Sequence, residues 1–103
     1  MNTALVVQAV IVEQTLHFSL GELCRACGAE AQQLASLVDE GVLEPAGSGP
    51  EDWRFAGPLL RRAHAALRLA RDLELSPAAT ALVLDLLDEI EALRSRLRRA
   101  GLE

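Results

Sequence analysis

The fold of this 103-residue chain is decided by residues 76–97, SPAATALVLDLLDEIEALRSRL. Ser76 carries the side chain of a helix N-cap, and Pro77 follows at the first helical position, where its missing N–H is no loss. Apolar residues then recur at alternating steps of four and three, the heptad spacing with which two helices pack side by side. These residues are Ala79, Val83, Leu86, Ile90, Leu93 and Leu97. Additional leucines widen the apolar surface in the first half, so we predict two partners for this helix: its own domain and a second chain.

The apolar seam, defined as Val83, Leu86, Ile90, Leu93 and Leu97, is the predicted dimerisation surface. The first half of the helix carries acids (Asp85, Asp88, Glu89, Glu91) and the second half carries arginines (Arg94, Arg96, Arg98, Arg99). A parallel pair would align like charges, whereas an antiparallel pair lays each acidic half against the partner's arginines. Because flanking charges set the orientation of a coiled coil, the sequence predicts an antiparallel homodimer.

Composition indicates one small folded protein. Half of the residues are apolar and only 3% are aromatic, so the core must be built from Leu, Val and Ala. The apolar run at residues 4–12 is too short to span a bilayer and has no basic residue before it, unlike a signal peptide. We therefore expect a cytoplasmic protein without membrane association.

Charge is unevenly distributed along the chain. All ten cationic residues are Arg, and the formal net charge is −5. Residues 1–56 carry eight acids against Arg25 and Arg54, whereas residues 57–103 carry eight Arg against seven acids. An acidic first half repels phosphate groups and favours a basic protein surface as its partner.

Upstream of the long helix, the chain predicts a strand and two short helices. Residues 6–12 are rich in β-branched side chains and read as a strand. Ser19 and Glu22 form a capping-box pattern that begins a helix ending at Gly28. A second helix, EAQQLASLVDE at residues 30–40, ends at Gly41. Two helices joined by a turn that contains Gly are typical of a helix-turn-helix.

A hairpin wing and a third helix are predicted next. Val42–Pro45 and Trp53–Phe55 flank a tip rich in Gly and Pro, which favours a hairpin whose two large aromatics pin it to the core. Gly57-Pro58 begins a helix to about Leu75, with Leu60, Ala63, Leu67 and Ala70 as its apolar stripe and Leu59, Ala66 and Leu73 beside them. We divide the chain into a winged helix-turn-helix-like domain (residues 1–75) and a C-terminal dimerisation helix packed on it (residues 76–103).

Two known families share these motifs. The helix-turn-helix followed by GVLEP at residues 41–45 and WRF at residues 53–55 resembles the winged DNA-binding domain of MerR-type regulators. RLARDL at residues 68–73 and LVLDLLDEI at residues 82–90 resemble the chaperone modulator CbpM family. The resemblance implies a mainly α, MerR-like fold with a small β component and a C-terminal coiled-coil helix. It also implies that the chain binds the J-domain of CbpA, a DnaJ-like co-chaperone, and inhibits its action with the Hsp70 chaperone DnaK.

The alternative function is that of a MerR-type DNA-binding regulator. The second helix of the predicted helix-turn-helix contains no cation, although Gln32, Gln33 and Ser36 could contact bases. The surrounding acids would repel phosphates, which argues against direct DNA binding. The sequence also leaves open a structural homodimer whose partner is unrelated to chaperones.

The resemblance implies that J-domains present a basic helix, and acidic residues around the second helix and the wing could receive it. We therefore predict that the J-domain is bound by Asp39, Glu40, Glu44, Glu51 and Asp52. The acids of the seam helix are the competing location, and either set could instead be a solvated face.

Catalysis and metal binding find no support in the sequence. Cys24 and Cys27 form a single C-x-x-C, whereas a structural zinc site needs about four ligands. His17 and His64 are isolated, and no nucleophile arrangement or phosphate-binding loop is recognisable. We expect two plain thiols, no metal, no cofactor and no enzymatic activity.

Overall fold

A computed structural model describes residues 17–102 as four helices and a two-stranded antiparallel sheet. The order is β1 (His17–Phe18), α1 (Leu20–Cys27), α2 (Ala31–Asp39), β2 (Phe55–Ala56), α3 (Gly57–Leu73) and α4 (Pro77–Arg99). The fold is thus mainly α with a small β component, as the sequence predicts. The strand predicted at residues 6–12 lies outside the described residues.

The capping residues recognised in the sequence begin and end α1. The Ser19 hydroxyl accepts a hydrogen bond from the backbone N–H of Glu22 at 3.1 Å, and the Glu22 carboxylate accepts one from the N–H of Ser19 at 2.8 Å. Gly28 then adopts the left-handed conformation (φ 63°) that ends the helix. The capping box and the glycine stop are both confirmed.

The turn after α2 uses backbone groups that the sequence had assigned to a strand. Gly41 is left-handed (φ 79°), and the N–H of Val42 donates to the carbonyl of Leu37 at 2.9 Å. The Val42 carbonyl accepts from Arg62 Nε at 2.7 Å. Because both backbone groups of Val42 are bound in this way, they cannot join a strand ladder.

The predicted hairpin wing is present only as a single antiparallel bridge, and residues 42–45 do not form a strand in it. Ala46 and Arg54 form one isolated antiparallel bridge, and β2 pairs with β1 through His17–Ala56 and Phe18–Phe55. Gly47 makes the tight tip possible: it has φ 107°, and a Cβ there would lie 2.4 Å from the carbonyl oxygen of Asp52. Residues 46–54 thus form a short loop closed by a single bridge.

The core joins all four helices and the wing. Phe55 is fully buried, and Trp53 packs edge-to-face on it with ring centroids 6.0 Å apart. The other buried apolar residues are Leu23, Leu34, Leu37, Val42, Leu43, Ala63, Ala66 and Leu84. Leu73, predicted to extend the apolar surface beside the stripe of α3, is 59% exposed, so that prediction is wrong. It lies in the last turn of α3, directly before Glu74, whose left-handed backbone ends the helix.

The long helix α4 begins at the cap predicted for it. The Ser76 hydroxyl accepts from the N–H of Ala79 at 3.1 Å. Thr80 and Leu84 are buried against the domain. Further along, Arg62 of α3 forms an ion pair with Asp88 at 3.2 Å and links α4 to the turn at Val42. This helix therefore packs on its own domain through its first half.

Candidate partner-binding surfaces

The five predicted J-domain-binding acids are all exposed. Asp39 is the last residue of α2 and Glu40 is its C-cap. Glu44 follows the buried pair Val42 and Leu43, and Glu51 and Asp52 lie in the tip of the wing. The structure thus keeps these carboxylates on the surface, in two groups: the end of α2 with the turn that follows, and the wing.

Charge pairing distinguishes these acids from two of the four acids of α4, Asp88 and Glu91. Within residues 17–102, none of the five forms an ion pair. By contrast, Asp88 binds Arg62, and Glu91 binds Arg98 at 3.0 Å. A carboxylate that already holds an arginine attracts a partner's cation less strongly. The end of α2 and the wing are therefore more available to a basic surface than Asp88 and Glu91 are.

A small polar cleft lies beside the wing. Glu51, Asp52, Trp53 and Arg54 line it together with Glu22 of α1, and its volume is about 170 Å³. Hydrogen bonds from Ser19 to the Glu22 carboxylate lower the pKa of that group below its usual value. Three acidic side chains and one arginine thus meet at this cleft, and Glu22 contributes to it in addition to capping α1.

The apolar seam of α4 faces away from its own domain. Leu86 follows the buried Leu84 by two residues, and two residues turn an α-helix by about 200°. Leu86 is 55% exposed, Ile90 47%, Leu93 46% and Leu97 42%, whereas Val83 is half-buried. Large aliphatic side chains repeated at heptad spacing thus remain uncovered on α4 from Leu86 to Leu97.

Sequence reasoning missed a groove between three helices. Its volume is about 340 Å³. Gln32, Gln33 and Ser36 of α2 form one wall, and its apolar lining comes from α3 and from the turn into α4, with Leu67, Ala70, Leu75 and Pro77. No sequence motif indicates this groove, because its walls are far apart in the chain.

The two cysteines are free thiols that pack against the core. Burial, with a smaller contribution from nearby Cys24, raises the pKa of Cys27, which keeps it in the unreactive thiol form. Across residues 17–102, no three His, Cys, Asp or Glu side chains come together as a group able to hold a metal ion. In that same part of the chain, no helix combines the length and the apolar character that crossing a membrane requires.

Comparison with known proteins gives consistent results. Residues 18–100 match the model of the MerR HTH family regulatory proteins. The chain is 35% identical to a chaperone modulatory protein CbpM of Coxiella burnetii (strain Dugway 5J108-111), over 93% of this chain and 91% of the relative. It is 38% identical to a protein of the same name from Pseudomonas putida (strain GB-1), over 78% of this chain and 79% of that one. None of these names describes an enzyme.

Proposed function

We propose that this chain, which belongs to the CbpM family of chaperone modulatory proteins within the MerR helix-turn-helix class, binds the J-domain of a CbpA-type co-chaperone. By occupying the J-domain, it prevents productive contact with DnaK. The chain acts as a binding protein without catalysis, and its acidic residues take the place of the acidic surface that DnaK would offer. The proposal rests on membership of the family together with the charge of the exposed surface.

The observation that carries the proposal is a set of exposed carboxylates that form no ion pair among the residues the structure describes. Asp39 and Glu40 lie where α2 ends, and Glu44 follows them closely. A helix C-terminus carries a partial negative charge, and α2 has no basic residue in its last turn to offset it. A basic helix would therefore be attracted there both by side-chain charge and by the helix dipole.

The same charges weaken the alternative of a DNA-binding regulator. Phosphate contacts by Lys and Arg supply most of the affinity of such proteins. Here α2 contains no cation, and the wing places Glu51 and Asp52 beside its single Arg54. The helix-turn-helix architecture is retained, whereas the cations needed to bind the DNA backbone are missing from these two elements.

A homodimer is the second part of the proposal. The exposed side chains of the apolar seam would pack against the same seam of a second copy. The two α4 helices would be antiparallel, with Ile90 near Leu93 of the other chain. The acidic first half of each α4 then lies against the arginine-rich second half of the other chain's α4. In this arrangement residues 1–75 form the binding domain and residues 76–103 join the two chains.

A titration with an isolated J-domain tests the binding. We expect a complex at micromolar concentration, a lower affinity after the double charge reversal Asp39→Lys/Glu40→Lys, and less loss after the reversal Asp85→Lys on α4. Duplex DNA is the parallel control and should show no mobility shift. Absence of a J-domain complex, or a salt-sensitive DNA shift in its place, would refute the proposed function.

A further inference from the structure

We infer that the groove between α2, α3 and the start of α4 binds an amphipathic helix of the partner. That helix inserts one aliphatic side chain into the groove and carries a cationic residue on each side of it. This inference rests on the proposed function, because the occupant is a helix of the protein partner. It adds the position of the docking site and the sequence pattern that the site selects.

The lining of the groove favours an apolar anchor. Leu67, Ala70 and Leu75 are half-buried and line it together with the buried Leu37. Burial of a leucine-sized side chain among such residues removes apolar surface from water on both partners. The volume of about 340 Å³ is ample for one large aliphatic side chain.

Most polar groups at the rim already have partners within the chain. The side-chain oxygen of Gln33 accepts from the N–H of Glu30 at 2.8 Å. The Ser36 hydroxyl donates to the Gln32 carbonyl at 2.9 Å, and the Thr80 hydroxyl donates to the Ser76 carbonyl at 2.9 Å. Such satisfied groups gain little from a polar ligand, which leaves the apolar lining as the source of affinity.

Acidic residues at the two ends of α2, the helix that forms one wall of the groove, favour cations on either side of the anchor. Glu30 lines the groove where α2 begins, whereas Asp39 and Glu40 lie outside the lining, at the other end of the same helix. The nine residues of α2 separate these ends by about 13 Å. In a partner helix, Lys or Arg placed about four residues before and about four residues after a leucine covers that distance on one face.

Two groove variants and one matched control test the site. Ala70→Phe fills the groove, and Leu75→Ser removes apolar lining. The matched control is Leu73→Ser. It makes the same exchange as Leu75→Ser at an exposed position outside the groove. Circular dichroism and thermal unfolding of each variant establish that it is folded before its binding is measured.

Two ligands separate this inference from the proposed function. The first is the isolated J-domain, and the second is a labelled helical peptide with Lys, Leu and Arg at steps of four, together with its Leu→Ser version. We expect the leucine peptide to bind at least about tenfold more tightly than the serine version. Both groove variants should lose about tenfold in affinity for the leucine peptide and for the J-domain, whereas Leu73→Ser should stay within about twofold.

Each outcome decides one of the two statements. If the J-domain binds folded Ala70→Phe and Leu75→Ser as it binds the unaltered chain, the groove inference is wrong and the proposed function stands. Equal binding of the leucine and serine peptides, or no binding of either, also refutes the groove inference. If the leucine peptide binds in the groove and the J-domain does not bind the chain at all, the proposed function is wrong.

Discussion

Truncation of one seam leucine is the sharpest test of the proposed dimer. Leu86→Ala removes three carbon groups, each worth about 0.8 kcal/mol when fully buried. Leu86 is 55% exposed in the single chain, so the second copy can cover just over half of it. The loss is therefore about 1.3 kcal/mol per chain and about 2.6 kcal/mol per dimer, which carries two copies. This corresponds to a rise of about 70-fold in the dimer dissociation constant.

Sedimentation across a concentration series measures that constant, and Leu73→Ala is the matched control. Leu73 is the same residue type with nearly the same exposure, 59%, but it lies at the end of α3, outside the apolar seam. Its truncation should change the dissociation constant by less than about twofold. Equal effects of the two variants, or a monomeric unaltered chain at micromolar concentration, would refute the seam as the dimer interface.

Three further predictions concern charge, backbone and pH. Glu89→Arg should weaken the dimer by about tenfold through repulsion of the other chain's Arg96, and adding Arg96→Glu should restore it, as measured by sedimentation. Gly47→Ala should lower the Tm by about 5 °C or more, because its left-handed backbone and the nearby carbonyl leave no room for a Cβ. Ser19 lowers the pKa of Glu22, so the stability contributed by that carboxylate is present above the unfolded pKa of about 4.3. It is lost as pH falls through the lower folded pKa, and the Tm advantage of the unaltered chain over Glu22→Gln should shrink from pH ~7 to pH ~3.

Each of these predictions has a result that contradicts it. A double charge variant as weak as Glu89→Arg would argue against the antiparallel arrangement. An unchanged Tm in Gly47→Ala would mean that the tip of the wing relaxes freely. A Tm difference between the unaltered chain and Glu22→Gln that stays constant with pH would show that the Glu22 charge makes no contribution to stability.

Helix ends could be predicted from the sequence because their signals are local. Ser19 and Ser76 each place a side-chain acceptor next to backbone donors that have no partner within the helix. Gly28 and Gly41 supply left-handed backbone where helices stop. The heptad spacing on α4 likewise needs only the sequence, and the exposure of Leu86 agrees with it.

Pairing between distant segments could not be predicted in the same way. Val42 looks like a strand residue, but the N–H and carbonyl of Val42 are bound by the end of α2 and by Arg62. Phe55 and Ala56 pair with His17–Phe18, and two-residue strands are too short to show a periodic pattern. Pairing of this kind depends on which surfaces the helices bring together.

The groove was missed for the same physical reason. Gln32 and Ser36 look like residues of a solvated helix face, whereas Leu67 and Ala70 look like residues of a core stripe. Only the packing of α2 and α3 with the turn into α4 turns these two surfaces into one concave site. The acidic residues, by contrast, could be identified from the sequence, because the charge of a carboxylate is known without knowing which residues pack beside it.

The ATPase activity of DnaK, stimulated by the J-domain of a CbpA-type co-chaperone, tests the central claim most directly. Adding this chain should suppress the stimulation, and raising the concentration of DnaK should restore it, because in the proposed mechanism the two proteins compete for the J-domain. The Asp39→Lys/Glu40→Lys variant should suppress less at the same concentration. Full stimulation in the presence of saturating chain, or suppression that no excess of DnaK relieves, would contradict the account.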